Sequence, residues 1–126
     1  MPNNQNKRTA KIYYALFDNE KINREGWNSD YGILVLSLRN PIGNTKAIDG
    51  INNILNINAF KCIGEINVKN EDDAFHKLQN VYNSHELNNR SMSVGDVIIY
   101  DNEGFVVESI GFSKLNKSQL EQFKKI

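Results

Sequence analysis

Four polar side chains cluster in the segment RSMSVGD, which covers residues 90–96. They are Arg90, Ser91, Ser93 and Asp96. An arginine can bind a carboxylate or a phosphate through two parallel hydrogen bonds, which makes Arg90 a candidate contact for an anionic partner. Serine and aspartate also stabilise turns, because their side chains bond to nearby backbone groups. We favour the structural role in a turn for this cluster, and binding of an anionic partner stays open as the alternative.

Aromatic side chains form a second set of candidate contacts. Aromatic residues and arginine contribute much of the binding energy at protein interfaces. Trp27 is the only tryptophan, and its polar surroundings, DNEKINREGWNSDYG, are compatible with a surface position or a core position. Tyr100 and Phe105 lie on either side of a predicted hairpin turn. These three aromatics therefore join Arg90 as candidates for binding a partner.

The remaining reactive side chains do not form a pattern typical of an enzyme. The two histidines, His76 and His85, match no zinc spacing, and the single Cys62 excludes an internal disulfide. The acidic residues 71–73 lie in the first turn of a predicted helix, where the helix dipole accounts for them. The glycines form neither a GxGxxG motif nor a P-loop. We predict no catalytic residue, no metal, no cofactor and no enzymatic activity.

The composition is typical of an ordinary globular domain. The chain has 126 residues, of which 40% are hydrophobic and 24% charged, and this favours one compact domain. Fifteen basic residues balance fifteen acidic ones, which argues against a strong non-specific nucleic-acid binder without excluding a local basic patch. No apolar run approaches the ~20 residues of a membrane span, and the first ten residues lack the apolar core of a signal peptide. We expect a cytoplasmic protein.

Apolar and alternating runs predict the strands. KIYYALF (residues 11–17) and the alternating AFKCIGEINV (residues 59–68) are typical of strands. YGILVLSL (residues 31–38) is a nearly continuous apolar run, which we interpret as a central strand buried on both faces. Residues 18–32 are predicted to form a loop, and residues 1–9 a disordered tail.

Helical spacing and capping residues predict the helices. The apolar residues of segment 45–56 recur at helical spacing, although its glycine and asparagines disfavour a helix. Asn70 is placed to cap a second helix, whose apolar stripe runs to Tyr82. Asn116 and Gln119 have the spacing of a capping box at the start of a short C-terminal helix.

Glycines and branched residues predict a C-terminal hairpin. Ser93 to Asp96 suit a type II turn, with Gly95 supplying the positive φ. The strands DVIIY and FVVESI follow, joined by a turn in which Gly104 suits a left-handed position. We therefore predict a single α+β domain over residues 10–126. It has a mostly antiparallel sheet of about five strands, two or three helices, and a C-terminal hairpin followed by a short helix.

From about residue 60 to about residue 115 the chain resembles the YodL-like domain family of phages, plasmids and integrative elements of Firmicutes. The segments RSMSVGDVIIY and GFVVESIGF carry the resemblance. Glu108 stands where the family more often has aspartate. Folding alone accounts less well for Ser93, Asp96, Glu108 and Ser109 than for their neighbours. The resemblance implies a mobile-element setting and supplies no catalytic motif. The first 58 residues lie outside it.

These observations together predict a small mobile-element accessory protein that binds and inhibits a host protein by occlusion. A component of a defence system, such as a CRISPR nuclease or a restriction enzyme, is the expected target. The alternative is a nucleic-acid-binding or regulatory module, because a VGD turn before a hairpin also resembles segments of PUA-like RNA-binding domains. A monomer and a homodimer formed through a sheet edge are both open. The predicted partner-binding residues are Trp27, Arg90, Ser91, Ser93, Asp96, Tyr100, Phe105 and Glu108.

Overall fold

The computed structural model describes residues 7–80 and 85–126, which contain one antiparallel sheet and five helices. The strands are β1 (Arg8–Ala15), β2 (Phe60–Val68), β3 (Val97–Tyr100), β4 (Glu103–Val107) and β5 (Phe112–Lys114). The helices are α1 (Asn19–Glu25), α2 (Asp30–Arg39), α3 (Ala47–Asn56), α4 (Glu71–Lys77) and α5 (Lys117–Lys124). The predicted fold class, a single α+β domain with an antiparallel sheet and a short helix after the C-terminal strands, is confirmed. In the described residues no helix is long and apolar enough to cross a membrane.

Strand β1 lies between β2 and β3 in a sheet whose strand order is β2-β1-β3-β4-β5. Every neighbouring pair is antiparallel, and Tyr13 lies opposite both Cys62 of β2 and Val97 of β3. Successive side chains of a strand point to opposite faces, and both faces are covered. On one face Tyr13 packs with Leu38 of α2 and Phe123 of α5. On the other face Tyr14 shares a core with Ala74 of α4.

The predicted capping residues begin their helices as expected. Asn70 Oδ1 accepts a hydrogen bond from Asp73 N at 2.8 Å at the start of α4. Asn116 and Gln119 form the reciprocal bonds of a capping box at the start of α5, at 2.8 and 2.9 Å. The helix predicted over residues 45–56 is α3. Five helices are present where two or three were expected, because residues 19–39 contain the additional helices α1 and α2.

The segment YGILVLSL lies in helix α2, so our prediction of a buried central strand was wrong. A short apolar run fits a buried strand and a buried helix alike. Ser29 caps the helix, since its Oγ accepts a hydrogen bond from Gly32 N at 3.1 Å. Gly32, Val35 and Leu38 are its buried residues, and their spacing of three places them on one helix face.

The loop predicted over residues 18–32 was also wrong, because it contains α1 and the start of α2. Asp18 Oδ1 accepts from Lys21 N at 3.1 Å, which is an ordinary N-cap bond. Strand β1 begins at Arg8, three residues before the predicted start, so it includes the end of the predicted disordered tail. Residues 1–6 of that tail lie outside the described residues, as does Tyr82 of the predicted helical stripe.

The hairpin is present, with a different turn chemistry. Gly95 has a φ of 96°, as the predicted turn requires. In the next turn Asp101 and Asn102 take the positive φ values, 52° and 61°, so the left-handed position predicted for Gly104 was wrong. Gly104 lies within β4, where a Cβ atom would stand 2.4 Å from Leu115 Cδ1. A close side-chain approach, rather than backbone conformation, explains this glycine.

Candidate functional site

The carboxylate of Asp96 is the centre of the polar cluster in RSMSVGD. The residue is completely buried, and its oxygens accept five hydrogen bonds. Two come from the backbone, from Ala15 N at 3.0 Å and Ser93 N at 2.8 Å. Three come from arginine, one from Arg39 at 3.1 Å and two from Arg90 at 2.7 and 3.0 Å. A buried carboxylate requires such compensation, so Asp96 supports the fold and presents no surface to a partner.

Arg39 belongs to this cluster, although the sequence did not point to it as a site residue. It is the last residue of α2 and directly follows the run 31–38 that we predicted as a strand. Its Nη2 donates to Ala15 O at 2.6 Å, and Arg90 Nη2 reaches the same carbonyl at 3.1 Å. Burial lowers the pKa of Arg39, while the neighbouring carboxylate of Asp96 acts in the opposite direction. Both guanidinium groups are therefore held at the end of β1.

Arg90 is fixed through its backbone as well as its side chain. Its guanidinium lies over the ring of Tyr14, 4.1 Å from the ring centroid. Its carbonyl oxygen accepts from Tyr14 Oη at 2.9 Å and lies 2.7 Å from His85 Nε2. Leu87 N donates to His85 Nδ1 at 3.1 Å, so Nε2 carries the ring hydrogen and donates to Arg90 O. Burial, reinforced by the Asp96 carboxylate, raises the pKa of Tyr14 and keeps this phenol neutral.

A groove of about 400 Å³ opens at the end of β1, beside α1 and α2. Its apolar wall includes Leu16, Phe17 and Trp27. Arg39 and Arg90 are the two charged residues that line it. The side chains of the two arginines remain 21% and 36% exposed, and both residues line the groove. The groove thus combines an apolar wall with a cationic floor, which suits an amphipathic ligand.

The turn between α1 and α2 places Trp27 at the edge of this groove. Gly26 ends α1 with a φ of 89°, and its carbonyl accepts a hydrogen bond from Ser29 Oγ at 2.6 Å. Gly32 lets α2 start directly beneath the turn, because a Cβ atom there would lie 2.7 Å from both Trp27 Cα and Trp27 O. Trp27 is left 52% exposed. The largest aromatic side chain of the protein is therefore held at the surface by an ordered turn.

Ser91 and Ser93 have structural contacts. Ser91 Oγ accepts a hydrogen bond from Asn80 N at 2.7 Å. Ser93 O accepts from Asp96 N at 3.0 Å, which closes the turn before β3. Neither serine is a lining residue of the groove. These two contacts help to fix the backbone next to Arg90, which itself lines the groove.

Tyr100 and Phe105 form a separate aromatic pair on the β3–β4 hairpin. Their rings stack with centroids 5.5 Å apart. Tyr100 Oη donates to Glu71 Oε1 at 2.7 Å, and Arg8 lies over the Tyr100 ring at 5.6 Å. Burial, followed by the hydrogen bond to Glu71, raises the pKa of Tyr100 to about 12. The structure does not bring this pair into the groove.

Glu108 caps a helix that lies far from it in sequence. Its Oε1 accepts from Ala47 N at 2.7 Å and its Oε2 from Ile48 N at 3.1 Å, both in the first turn of α3. The residue is only 8% exposed. A carboxylate at this position satisfies free N–H groups and interacts favourably with the helix dipole. Glu108 therefore links β4 to α3 and is not exposed for partner contact.

The other titratable side chains do not gather into a metal site. Among residues 7–80 and 85–126, no group of three or more His, Cys, Asp and Glu side chains is placed to hold a metal ion. His85 has the buried structural role described above. Cys62 is partly buried on β2, where it lies opposite Tyr13 of β1.

Comparison with known proteins identifies no relative. No family model, no curated protein and no solved structure matches the chain. The resemblance of residues 60–115 to the YodL-like family stays a prediction. The kind of ligand that the groove can bind is therefore inferred from the chemistry of the residues that line it.

Proposed function

We propose that this protein binds a partner protein through the groove around Trp27 and inhibits the partner by covering part of its surface. The supporting observation is the presence of an exposed tryptophan and two arginines in one groove. Tryptophan and arginine are enriched among the residues that dominate binding energy at protein interfaces. Trp27 and Arg90 are distant in sequence, and the fold brings both to the groove.

The surface around the groove adds apolar area. Seven large hydrophobic side chains are exposed in the described residues, and four of them come from the segment 16–42. Leu16 and Trp27 line the groove, whereas Ile33 and Ile42 line a second hollow of about 350 Å³ beside the same helix, α2. Apolar groups gathered on one part of a surface are typical of protein interaction sites. The proposed interface therefore extends on both sides of α2.

The expected partner is a host protein of a bacterial defence system, such as a CRISPR nuclease or a restriction enzyme. The YodL-like resemblance of residues 60–115 supports a mobile-element origin for this proposal. Inhibition by occlusion requires a stable surface and no chemistry. The groove fits that requirement, because its arginines are already fixed by Asp96 before any partner arrives.

Nucleic-acid binding is the second candidate function, favoured by the stacked pair Tyr100 and Phe105 with Arg8 over the tyrosine ring. Two contacts weigh against it. Arg8 is paired with Asp101, and Tyr100 donates to the carboxylate of Glu71. Acidic groups beside an aromatic platform repel a phosphate backbone, and the chain has no excess of positive charge. We therefore place protein binding first.

Affinity capture from a bacterial lysate treated with nuclease tests the proposal. Trp27→Ala is the informative variant, because the side chain is half exposed and its removal should leave the fold intact. Ile110→Ala is the matched control, since Ile110 is 94% exposed and does not line the groove.

The proposal predicts a protein partner that the natural chain and Ile110→Ala capture and that Trp27→Ala does not. A partner captured equally by all three chains would place the binding surface elsewhere. Recovery of nucleic acid alone, lost steeply as salt is raised, would support the second candidate function instead.

A further inference from the structure

We infer that the partner segment which fills the groove carries a carboxylate next to an apolar side chain. This inference rests on the proposed function and names the chemistry of the partner at the same site. Charge is the first observation. Two guanidinium groups, Arg39 and Arg90, face the single carboxylate of Asp96, and 2 − 1 leaves one positive charge uncompensated at the groove floor.

Unused hydrogen-bond donors are the second observation. A guanidinium has five N–H donors. Arg39 uses three of them, for Val94 O, Asp96 Oδ1 and Ala15 O. Its Nε–H and one Nη2 hydrogen have no acceptor in the described part of the chain. Arg90 uses its four Nη hydrogens, and its Nε–H likewise has no acceptor there. A carboxylate supplies acceptors for such donors.

The apolar wall selects a peptide over a nucleic acid. Leu16, Phe17 and Trp27 stand beside the arginines and provide contact area for an aliphatic or aromatic side chain. A phosphate backbone would need several positive charges along a track, whereas this groove offers one net charge. An acidic residue adjacent to an apolar residue satisfies both halves of the groove.

Asn19 allows the charge of the groove to be changed without touching the Asp96 cluster. It lines the groove, is exposed, and is the first residue of α1. Its neighbour Asp18 caps α1 through its side chain and is not among the residues that line the groove. Asn19→Asp adds a negative charge that the helix dipole favours, so the fold should be retained. Asn19→Lys adds a positive charge. The same two changes at Asn53, an exposed residue of α3 outside the groove, give matched controls of equal net charge.

The test is an NMR titration of the full ¹⁵N-labelled chain with capped five-residue peptides. One peptide has Leu-Asp-Leu at its centre, and its matched control has Leu-Asn-Leu. We expect the aspartate peptide to shift the Trp27 indole N–H and the Arg39 Nε–H signals, and the asparagine peptide to bind at least about tenfold more weakly. The dissociation constant for the aspartate peptide should be about three- to tenfold lower for Asn19→Lys than for Asn19→Asp. The Asn53 variants should match the natural chain.

Two results with the peptides, and one with an oligonucleotide, would overturn the inference. One is equal binding of the two peptides. The other is no shift with either peptide up to about 10 mM, at which even a millimolar complex is largely formed. Shifts produced by a thymidine oligonucleotide in place of the peptides would overturn it in favour of a phosphate ligand. If the peptides fail but Trp27→Ala still abolishes partner capture, the inference fails and the proposed function stands. If Trp27→Ala also leaves capture unchanged, both fail.

Discussion

The carboxylate of Asp96 lies 2.7 Å from Nη1 of Arg90, and this ion pair closes the segment that precedes β3. Both partners hold Ala15, since Asp96 accepts from Ala15 N and Arg90 donates to Ala15 O. The floor of the groove is thus built from contacts that also stabilise the fold. Trp27 takes no part in them, so its substitution separates binding from stability.

Asp96→Asn should lower the free energy of unfolding by about 3–5 kcal/mol, because it leaves Arg39 and Arg90 without their buried counter-charge. Chemical denaturation measures the change. The control is Asp101→Asn, which removes an exposed pair with Arg8 and should cost less than about 1 kcal/mol. Similar small losses in both variants would show that the Asp96 cluster does not hold the end of β1.

Glu108→Gln should lower the free energy of unfolding by about 1–2 kcal/mol. The amide keeps one acceptor oxygen where the carboxylate offered two to Ala47 N and Ile48 N, and it loses the interaction with the dipole of α3. Glu86→Gln, at an exposed position, is the control and should change little. Equal stability of the two variants in urea denaturation would contradict a capping role for Glu108.

Gly104→Ala should lower the free energy of unfolding by about 1–3 kcal/mol through overpacking against Leu115. The cause can be isolated in a double-mutant cycle. In a Leu115→Ala background the added methyl group enters vacated space, so the same substitution should cost less or become stabilising. An identical cost in both backgrounds would mean that contact with Leu115 is not the reason for glycine at this position.

Tyr100→Phe should lower the free energy of unfolding at neutral pH, and it should lower it by a smaller amount at high pH. The folded pKa of Tyr100 is raised from 10.0 to about 12, so the protonated phenol is favoured in the folded state. That contribution is fully present below pH 10 and is lost as the pH rises through about 12. The stability difference between the natural chain and Tyr100→Phe, measured by urea denaturation, should shrink over this interval. A constant difference would rule out a protonated hydrogen bond from Tyr100 to Glu71.

The sequence was sufficient where local chemistry decides the structure. Capping side chains at Asn70 and Asn116 and the positive φ at Gly95 depend only on neighbouring residues, and all three are present as predicted. It was insufficient where packing decides. The apolar run at residues 31–38 fits a strand or a helix, and its position against the sheet selects the helix α2. The three-residue strand β5 gives too short a pattern to detect.

The candidate site shows the same division. Trp27 and Arg90 were identified from residue type alone, because both types are enriched at interfaces. Arg39 was missed, since only a helical conformation of α2 carries its side chain to Asp96. The sequence predicts Asp96 and Glu108 as partner contacts, because their hydrogen bonds to Ala15 and Ala47 join residues that are distant in sequence. Long-range hydrogen bonds of this kind leave no pattern in a single sequence.

The central claim is that the groove around Trp27 is the surface that a partner covers. Trp27 is the only tryptophan of the chain. If the partner has no tryptophan, or if its tryptophans are replaced, the tryptophan fluorescence of the complex reports on this groove alone. Quenching by acrylamide is the most direct measurement. We predict that the exposed Trp27 is quenched readily in the free protein and is strongly protected in the complex. Unchanged quenching in a fully formed complex would contradict the claim.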